Sequence, residues 1–416
     1  MDSQIRSPED ETLANIEIQE DPYAYYDVLR EQAPVYFDPN LNIYIVTRYD
    51  LLLQAIRNTD VFSNIGSQAP AEMREPPAKV REIQATMAPP VNTMVTNDPP
   101  SHTRYRKLVD YAFTPKRVRA MKPYMDEIVN TLIDGFIDQG EVELITRFGV
   151  PLPLYVIGDQ LGVPREDAPQ FKIWSDASVA PLGLMLTDEE WIDSATKVKE
   201  FQDYFTAALD DRRQDPRDDL LTALLEARIE GEEPLNTPEL LSIISQVLVA
   251  GNETTTNSIA AGMTLLIDNP DQQRALRDDP EKIPNFVEEV LRMESAVQGL
   301  FRVVKEDTEL GGIKLPKGSR LLLRYAAANR DAAKFENPDK LDVCRSNAGA
   351  HLAFGAGIHH CLGAQLARYE MLAAFQGLLA RMDNLAYSPG RNSFEHHPHL
   401  CLRGLKELWI TFDKTN

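Results

Sequence analysis

The segment 237–270 constrains the fold of this chain more than any other part of the sequence. It reads TPELLSIISQVLVAGNETTTNSIAAGMTLLIDNP, with Thr237 as a candidate N-cap, Pro238 at the first helical position and a stop signal at Asn269 and Pro270. About 30 residues of helix would extend roughly 45 Å. Because apolar residues occupy nearly every side, this helix is expected to be buried, with the rest of the chain packed around it.

The centre of this segment, AGNETTT at residues 250–256, contradicts that pattern. A glycine and a run of polar residues weaken both helix propensity and burial, and local rules of this kind fail most often at functional sites. Gln246, Asn252 and Glu253 also interrupt the apolar run, which makes a membrane-spanning helix a poor alternative. The centre of the helix is therefore a candidate functional region.

Composition and charge narrow the class of protein. Of the 416 residues, 43% are hydrophobic, and the formal net charge is -21. These values predict a soluble globular protein, and such acidity argues against nucleic acid or an anionic membrane as a partner. The acidic, polar start of the chain resembles neither a signal peptide nor an anchor, so we expect a cytoplasmic location.

The pattern of secondary structure is mainly helical, with β-structure towards both ends. Apolar alternation at residues 34–49 predicts a β-hairpin, and residues 311–325 form a second β-rich stretch. Helical periodicity marks residues 118–138, 280–293 and the segment after Cys361. The proline-rich stretch 63–100 and residues 178–191 are predicted to be loops, the first long and irregular. We find no internal repeat and no linker that would divide the chain.

Three cysteines, at 344, 361 and 401, are too few for a disulfide framework and suit a reducing compartment. Four interpretations compete for Cys361. A zinc site would recruit neighbouring histidines and the HHPHLC cluster at 396–401, although adjacent residues do not easily converge on one ion. A catalytic cysteine would need a histidine partner, and a buried structural cysteine is the simplest case. A dinucleotide-binding loop is excluded because GAGIHH lacks the third glycine.

The setting of Cys361 distinguishes it from the other two cysteines. Residues 362–382 have a helical apolar face, so Cys361 lies at a helix N-terminus, where the helix dipole favours a thiolate by about 0.3–2 kcal/mol. That is too little for a bare buried thiolate, and a metal cation would supply the difference. Gly355, Gly357 and Gly363 leave room for a flat ligand against the backbone.

The stretch FGAGIHHCLG, residues 354–363, resembles the haem-binding loop of the cytochrome P-450 superfamily. Phe354, Gly357, Cys361 and Gly363 match the four fixed positions of that loop. The resemblance implies that Cys361 is the axial thiolate ligand of a haem b iron. It also implies the fold of the superfamily, mainly α with smaller β-sheets (α+β), with haem between the long central helix and the helix after the cysteine loop. Residues 1–20 would then be a polar N-terminal segment, and residues 21–416 a single haem-thiolate catalytic domain.

The centre of segment 237–270 is similar to the oxygen-binding helix of the superfamily. Ala250, Gly251, Glu253 and Thr254 fill its motif of a small residue, glycine, acid and threonine. The resemblance implies that Gly251 opens a groove for dioxygen, that Thr254 donates a hydrogen bond to dioxygen, and that Glu253 relays protons. The simpler alternative is that Thr254 only bonds back to a helix carbonyl.

A further match lies about 70 residues before the cysteine. Glu289 and Arg292 form an ExxR pair, to which the superfamily adds an arginine from the intervening segment, here Arg330 or Arg345. We expect this group to have a folding role. One departure is Ala296, where the superfamily commonly has proline, so the turn at residues 297–300 is expected to differ.

Haem carries two propionates, and the resemblance assigns their cationic partners to His102, Arg106, Arg302 and His359. Phe354, Gly355, Gly357 and Gly363 would complete the cofactor-binding set. His360 is expected to be structural.

The resemblance also predicts the lining of a substrate pocket that is mostly apolar. It favours a hydrophobic organic substrate of terpenoid, steroid or aromatic type. The predicted lining residues are Met94, Val95, Gln246, Val249, Ala250, Gln298, Leu300, Cys401 and Leu402.

Residues 101–122 carry seven Lys or Arg and one acid within a chain of net charge -21. This basic region is either a solvated face or a docking surface for an acidic, ferredoxin-type electron donor. No flavin or nicotinamide domain fits in the remaining chain, so electrons from NAD(P)H would arrive through a separate reductase and ferredoxin. The chain is expected to act as a monomer.

The leading hypothesis is a haem-thiolate monooxygenase that inserts an oxygen atom from dioxygen into a C–H bond. The alternatives are a haem-thiolate peroxygenase or isomerase, and a non-catalytic haem sensor or carrier. The Glu253 and Thr254 pair favours dioxygen activation, because a sensor needs no proton relay.

Overall fold

The long segment forms one unbroken helix, Thr237–Asp268, at the centre of a mainly helical protein. Its N-cap is Asn236 and not Thr237 as predicted. The Asn236 side chain accepts the N–H of Glu239 (3.0 Å), and the Glu239 carboxylate accepts the N–H of Asn236 (2.8 Å), which together make a capping box. Pro238 is consequently the second helical residue. Among the described residues, no helix is long and apolar enough to cross a membrane.

The computed structural model describes residues 6–67, 75–183 and 186–415. The α-helices are α1 Ile16–Glu20, α2 Tyr23–Gln32, α3 Tyr49–Arg57, α4 Ala78–Gln84, α5 Ser101–Ala112, α6 Pro115–Ala120, α7 Lys122–Asp134, α8 Pro151–Leu161, α9 Ala168–Val179, α10 Asp188–Gln214, α11 Leu220–Glu226, α12 Thr237–Asp268, α13 Pro270–Asp278, α14 Ile283–Met293, α15 Tyr325–Ala328 and α16 Ala364–Arg381. The strands are β1 Val35–Asp38, β2 Ile43–Val46, β3 Phe62–Ser63, β4 Glu141–Glu143, β5 Leu300–Val304, β6 Thr308–Leu310, β7 Ile313–Leu315, β8 Arg320–Leu323, β9 Met382–Tyr387 and β10 Trp409–Lys414.

The strands form three small sheets. The largest has the order β1-β2-β8-β5-β3, in which β2 and β8 are parallel and the other neighbours antiparallel. The predicted hairpin is its β1–β2 pair, with Val35 opposite Val46. The predicted β-rich stretch 311–325 supplies β7 and β8. The other sheets are β4-β10-β9 and β6-β7.

Helix α12 lies among α8, α9, α14 and α16, as its apolar surface predicts. The contact between α12 and α16 is close at Gly262. A Cβ atom there would lie 2.3 Å from the Phe375 ring, so only glycine allows the two helices to approach this far. Phe375 is itself fully buried and packs edge-to-face on Phe286 of α14.

Two predicted loops contain more regular structure than expected. The described part of 63–100 includes helix α4, because the fully buried Val80 packs against Trp191 and Ala195 of α10. In the second loop, α9 continues to Val179 and α10 begins at Asp188. The structure of the first loop thus depends on the contact of α4 with α10, far along the chain, and the number of prolines in the loop carries no information about that contact. Residues 68–74 and 184–185 of these loops lie outside the described residues.

The polar N-terminal segment packs on the body of the protein from residue 6 onwards. Leu13 and Ile18 are buried against α2. The Tyr25 hydroxyl of that helix donates to the carbonyl oxygens of Pro8 and Glu11. Residues 1–5 lie outside the described residues.

Candidate active site

Cys361 lies in a tight loop directly before α16. Gly355 and Gly357 have φ angles of +64° and +66°, in the left-handed region that favours glycine. The N–H of Cys361 donates to the Phe354 carbonyl (2.9 Å), which closes the loop, and α16 begins at Ala364 with Gly363 as its N-cap. The cysteine is therefore presented just before a helix N-terminus, where the sequence predicts it.

The surroundings of Cys361 have opposing effects on the pKa of its thiol. Burial raises the pKa of the thiol, whereas the backbone N–H groups of Gly363 and Ala364 and the charges of Arg106 and Arg368 lower it. Burial is the larger effect, so the side chain is a neutral thiol by itself. A stable thiolate at this position requires a bound cation, which fits a metal-ligand role.

Arg368, which the sequence analysis did not single out, braces the cysteine loop from α16. Its guanidinium lies over the Phe354 ring, with Cζ 4.5 Å from the ring centroid. It also makes a two-point ion pair with Glu288 (2.6 and 2.9 Å), and His351 lies 3.1 Å from the same carboxylate. Burial opposes ionisation of Glu288, but these hydrogen bonds lower its pKa to about 2. The sequence feature that could have identified Arg368 is its position on the predicted helix, two helical turns beyond Cys361.

Three polar groups near the cysteine loop are buried without hydrogen-bond partners among the described residues. They are Nδ1 of His102, Nε of Arg302 and Nε2 of His359. The rings of His102 and His359 lie 4.3 Å apart between centroids. Unpaired buried polar atoms are rare in folded proteins, and a cluster of them indicates a missing partner.

The charge state of this cluster is set by burial and mutual repulsion. Burial and, to a lesser extent, the charges of Arg302 and His102 lower the pKa of His359 to about 3. Burial and the charge of Arg106 likewise lower the pKa of His102. The cluster thus combines one guanidinium and two imidazoles that can donate hydrogen bonds, which fits the two carboxylates of haem.

Arg106, the fourth predicted propionate partner, lies at the edge of this group. Its Nη1 donates to the carbonyl of His360 (2.8 Å), and its Nε pairs with Asp110 (3.0 Å). Arg106 therefore ties α5 to the cysteine loop.

The centre of α12 has an open face. Ala250 is exposed, although Leu248 and Asn252 on either side of it are 1% and 0% exposed. The Thr254 hydroxyl donates to the Ala250 carbonyl (2.7 Å), which is the back-bonding arrangement considered above. A Cβ atom at Gly251 would meet only Ile157, at 3.9 Å, so packing does not explain this glycine.

Glu253 is a half-buried acid next to Thr254. Its Oε2 atom has no hydrogen-bond partner among the described residues. Burial, with a smaller contribution from the charge of Asp176 on α9, raises the pKa of Glu253 to about 6 against the opposing charge of Lys172. A carboxyl group with this pKa exchanges protons readily near neutral pH.

The predicted ExxR group forms as a fully buried ion cluster. Arg292 donates to both oxygens of Glu289 (2.6 and 3.0 Å), and both side chains are 0% exposed. The third member is Arg345, with Nε 3.0 Å from Glu289. Arg330, the other candidate, pairs with Glu294 instead (2.8 Å).

Comparison with known proteins agrees with this arrangement. A family model described as Cytochrome P450 matches residues 180–386. The 6-deoxyerythronolide B hydroxylase of Saccharopolyspora erythraea is 35% identical, covering 94% of this chain and 96% of its own. The vitamin D(3) 25-hydroxylase of Pseudonocardia autotrophica is 34% identical, covering 94% of each. The chain belongs to the cytochrome P450 family.

A solved cytochrome P450 structure, CYP109E1 from Bacillus megaterium in complex with testosterone, has a TM-score of 0.81 and 33% identity. The match covers 94% of this chain and 99% of that one. The predicted fold is confirmed, and the protein is a cytochrome P450 monooxygenase. Membership of the family implies a haem iron with a thiolate ligand.

The pocket predicted for this cytochrome P450 is bordered by a polar contact between the 91–95 segment and α12. The Val95 N–H donates to Oε1 of Gln246 (3.1 Å), and Nε2 of Gln246 donates to the Thr93 hydroxyl (2.5 Å). Met94 is buried, and Val249 is half-buried on α12. Gln246 therefore holds the segment that carries Met94 and Val95 against the helix.

Four of the predicted pocket residues lie in the segments 297–300 and 400–402, and they differ in exposure. Leu300 and Leu402 are half-buried, and Leu402 forms a β-bridge with Val297. Gln298 and Cys401, which were also predicted to line the pocket, are buried. Gln298 is 2% exposed because its side chain accepts from the Tyr26 hydroxyl and donates to the Ser295 carbonyl.

Cys401 is 3% exposed and packs in the cluster of Tyr26, Phe301 and Leu322. The side chains of Gln298 and Cys401 therefore both lie in the core of the protein.

The basic region 101–122 of this cytochrome P450 is less uniformly available than its composition indicates. Arg104 pairs with Glu239 (2.9 Å), Arg106 with Asp110, and Arg117 with Asp218 (3.0 Å). Four exposed cations remain on the surface of α5, α6 and the start of α7, namely Lys107, Lys116, Arg119 and Lys122. Nearby, Tyr111 is 66% exposed.

Proposed function

We propose that this monooxygenase hydroxylates a hydrophobic organic substrate, with Cys361 as the thiolate ligand of haem b. The observation that carries the proposal is the cluster of unpartnered donors on His102, Arg302 and His359 beside the cysteine loop. Such a cluster is costly to bury unless an anion completes it. The propionates of haem are anions of the required charge and number.

The residues that would hold haem come from three parts of the chain. His102 and Arg106 on α5 and Arg302 on β5 would meet the propionates together with His359. Phe354, Gly355, Gly357 and Gly363 shape the loop around Cys361. When bound, haem iron supplies the redox chemistry of dioxygen, and its thiolate ligand favours cleavage of the O–O bond.

Thr254 and Glu253 would handle the protons that dioxygen chemistry consumes. The Thr254 hydroxyl donates to the Ala250 carbonyl in this structure, so donation towards the pocket requires rotation about its side-chain torsion. Glu253 has an unpartnered oxygen and a pKa of about 6, raised by burial. It would therefore take up a proton from solvent and pass it towards Thr254.

The substrate would be an apolar molecule of terpenoid, steroid or aromatic type. The side chains of Met94, Val249, Leu300 and Leu402 offer few hydrogen-bonding groups. The relatives named for 6-deoxyerythronolide B, vitamin D(3) and testosterone act on or bind large, mostly apolar compounds.

Electrons would come from NAD(P)H through a separate reductase and an acidic ferredoxin-type protein. The four exposed cations of region 101–122 lie on the helices next to the cysteine loop, to which Arg106 connects them. On a protein of net charge -21, a local basic surface would orient an acidic partner before contact.

The test of the proposal is the absorption spectrum of the reduced protein with carbon monoxide. We expect a strongly red-shifted Soret band in the native protein, and loss of that band in Cys361→Ser. Cys344→Ser is the matched control, because Cys344 is exposed and distant in sequence from the loop. A histidine-type band in the native protein, or an unchanged band in Cys361→Ser, would contradict the proposal.

A further inference from the structure

Glu239, in the first turn of α12, is a buried carboxylate that accepts three hydrogen bonds. The residue is 8% exposed. Its Oε2 atom accepts the Asn236 N–H of the capping box (2.8 Å). Its Oε1 atom accepts from Nη1 of Arg104 (2.9 Å) and from the Tyr105 hydroxyl (2.8 Å), both of which belong to α5. One carboxylate therefore joins the start of α12 to α5.

The capping box of α12 does not by itself require the contact with α5. A capping box uses one carboxylate oxygen, as in α10, where Oε2 of Glu190 accepts the Thr187 N–H (2.8 Å). Glu190 is exposed, and in the described part of the chain its side chain bonds only to Thr187. Glu239 is buried instead, and its second oxygen serves α5 alone. The contact with α5 is thus a role beyond helix capping.

Helix α5 makes few polar contacts with distant parts of the described chain. Apart from the bond of Arg106 to the cysteine loop, they all run to residues 232–239. Arg104 lies 3.5 Å from the Glu232 carboxylate, which is 45% exposed, and 2.9 Å from the Glu239 carboxylate, which is 11% exposed. Because water weakens the first pair more than the second, Glu239 is the stronger electrostatic partner of α5.

Arg104 and the two propionate partners that we assign to α5 lie on opposite sides of this helix. His102 and Arg106 are four residues apart and therefore share one face. Arg104 lies midway between them in sequence, so it projects about 200° around the helix axis from each. A rotation of α5 that lengthens the contact of Arg104 therefore also turns His102 and Arg106 away from their present positions.

The surroundings of Glu239 keep it ionised. Burial opposes ionisation, but the N–H of Asn236 and the side chains of Arg104 and Tyr105 hold the pKa of Glu239 below its usual range. Burial and the hydrogen bond to Glu239 raise the pKa of Tyr105, so its hydroxyl remains a donor. The contact between the two helices therefore keeps its charge near neutral pH.

We propose that Glu239 is a positioning residue for haem, which acts through Arg104 and Tyr105 to hold α5 where His102 and Arg106 meet the propionates. Hydrogen bonds weaken steeply as their length and angle depart from the optimum, so a small displacement of α5 weakens both contacts. This inference rests on the proposed monooxygenase function. It adds to the site a residue that touches neither haem nor substrate.

The first experiment measures the rate of haem loss from the loaded enzyme to an excess of a haem-scavenging protein. Glutamine has a single acceptor oxygen, so Glu239→Gln cannot keep both the capping box and the contacts with α5. Arg104→Met removes the ion pair and keeps the capping box. We expect both variants to lose haem about ten-fold faster than the native enzyme, because a charged hydrogen bond that positions the propionate partners is lost.

Two further variants complete this comparison. Glu190→Gln changes the exposed capping box of α10 in the same way and should leave the rate of haem loss unchanged. Tyr105→Phe removes one donor and keeps the packing of the ring, so it should accelerate haem loss in the same direction but by less. An equal acceleration in Glu190→Gln, or none in Arg104→Met, would contradict the positioning role.

The second experiment separates positioning from a general loss of stability. The native enzyme, Glu239→Gln and Arg104→Met are loaded with haem dimethyl ester, in which both propionates are neutral esters. Because the ester forms no ion pair with Arg106, we expect the three proteins to lose it at nearly equal rates. A purely structural role of Glu239 predicts the same ten-fold acceleration for haem and for its ester, and that result would overturn the inference.

These outcomes are separable from those of the carbon monoxide spectrum. A normal thiolate band with unchanged haem loss in Glu239→Gln rejects only the positioning role. An acceleration of haem loss that is confined to unesterified haem, in a native protein without a thiolate band, rejects only the monooxygenase function.

Discussion

Thr254 bonds to its own helix in this structure, and the role that we propose for it lies in the pocket. Its hydroxyl proton is donated to the Ala250 carbonyl, while its oxygen accepts no hydrogen bond from the described residues and can accept a proton or a hydrogen bond. The sequence left two directions open for the Thr254 hydroxyl, towards dioxygen or back to a helix carbonyl, and the structure shows the second. The direction of a hydroxyl group depends on the atoms that surround it in the folded protein, and a sequence motif does not specify those atoms.

Replacement of Thr254 by alanine should divert reducing equivalents from product into hydrogen peroxide. We expect product per NAD(P)H consumed to fall about ten-fold or more, because positioned proton transfer contributes at least that factor. The measurement is the ratio of product to peroxide in the same reaction. Thr254→Ser keeps the hydroxyl and should keep most of the coupling. Unchanged coupling in the alanine variant would remove Thr254 from the mechanism.

Glu253 should give turnover a pH dependence. Burial raises its pKa from 4.5 to about 6, so the protonated, donating form is lost as the pH rises through 6. We therefore expect turnover to fall above pH 6 in the native enzyme, and Glu253→Gln to be slower and flat across this range. Asp176→Asn removes a nearby negative charge and should shift the inflection to lower pH. A native-like profile in Glu253→Gln would exclude this residue as the relay.

Among the structural elements, α12 and α14 show what sequence patterns predict well. The apolar run and its stop at Asn269 placed α12 to within one residue, and only the choice between Asn236 and Thr237 as N-cap was wrong. The spacing of Glu289 and Arg292 predicted their pairing. It did not identify Arg345 as the third member, because the path of the segment 336–345 is fixed by tertiary contacts.

Removal of Arg292 should be strongly destabilising. The change Arg292→Ala leaves the Glu289 carboxylate buried with only Arg345, and breaking a buried pair in this way costs about 3–5 kcal/mol. Denaturant unfolding measures the loss. Lys282→Ala, which breaks the exposed pair with Asp279, is the control and should cost less than about 1 kcal/mol. A similar small cost for both variants would contradict the folding role of the cluster.

At the scale of the whole molecule, the acidic surface and the local basic region 101–122 were both predictable from composition. The structure adds that three of the seven cations there are paired with carboxylates, Arg106 with Asp110 of the same helix and two others with Asp218 and Glu239 of other segments. Asp218 and Glu239 lie 101 and 135 residues from the arginines they pair with, so a local count overestimates the charge that a partner meets.

Charge reversal at the basic region should slow reduction by an acidic electron donor. We expect Lys116→Glu with Arg117→Glu to lower the reduction rate by about ten-fold at low ionic strength, and the difference to shrink as salt screens the charges. Stopped-flow reduction measures this rate. Lys314→Glu with Lys317→Glu, two exposed positions in and after β7, makes the same change in net charge and should leave the rate nearly unchanged. Equal rates in all three proteins at low salt would refute the docking surface.

The close contact between Gly262 and Phe375 also has a consequence for engineering of this enzyme. Helix α12 carries Thr254 and α16 follows Cys361, so the approach of the two helices at Gly262 sets how far apart the oxygen side and the thiolate side are held. A larger residue at 262 would push α12 and α16 apart and would therefore shift both Thr254 and Cys361. Variants designed to accept bulkier substrates should therefore gain their space at the 91–95 segment and leave this contact intact.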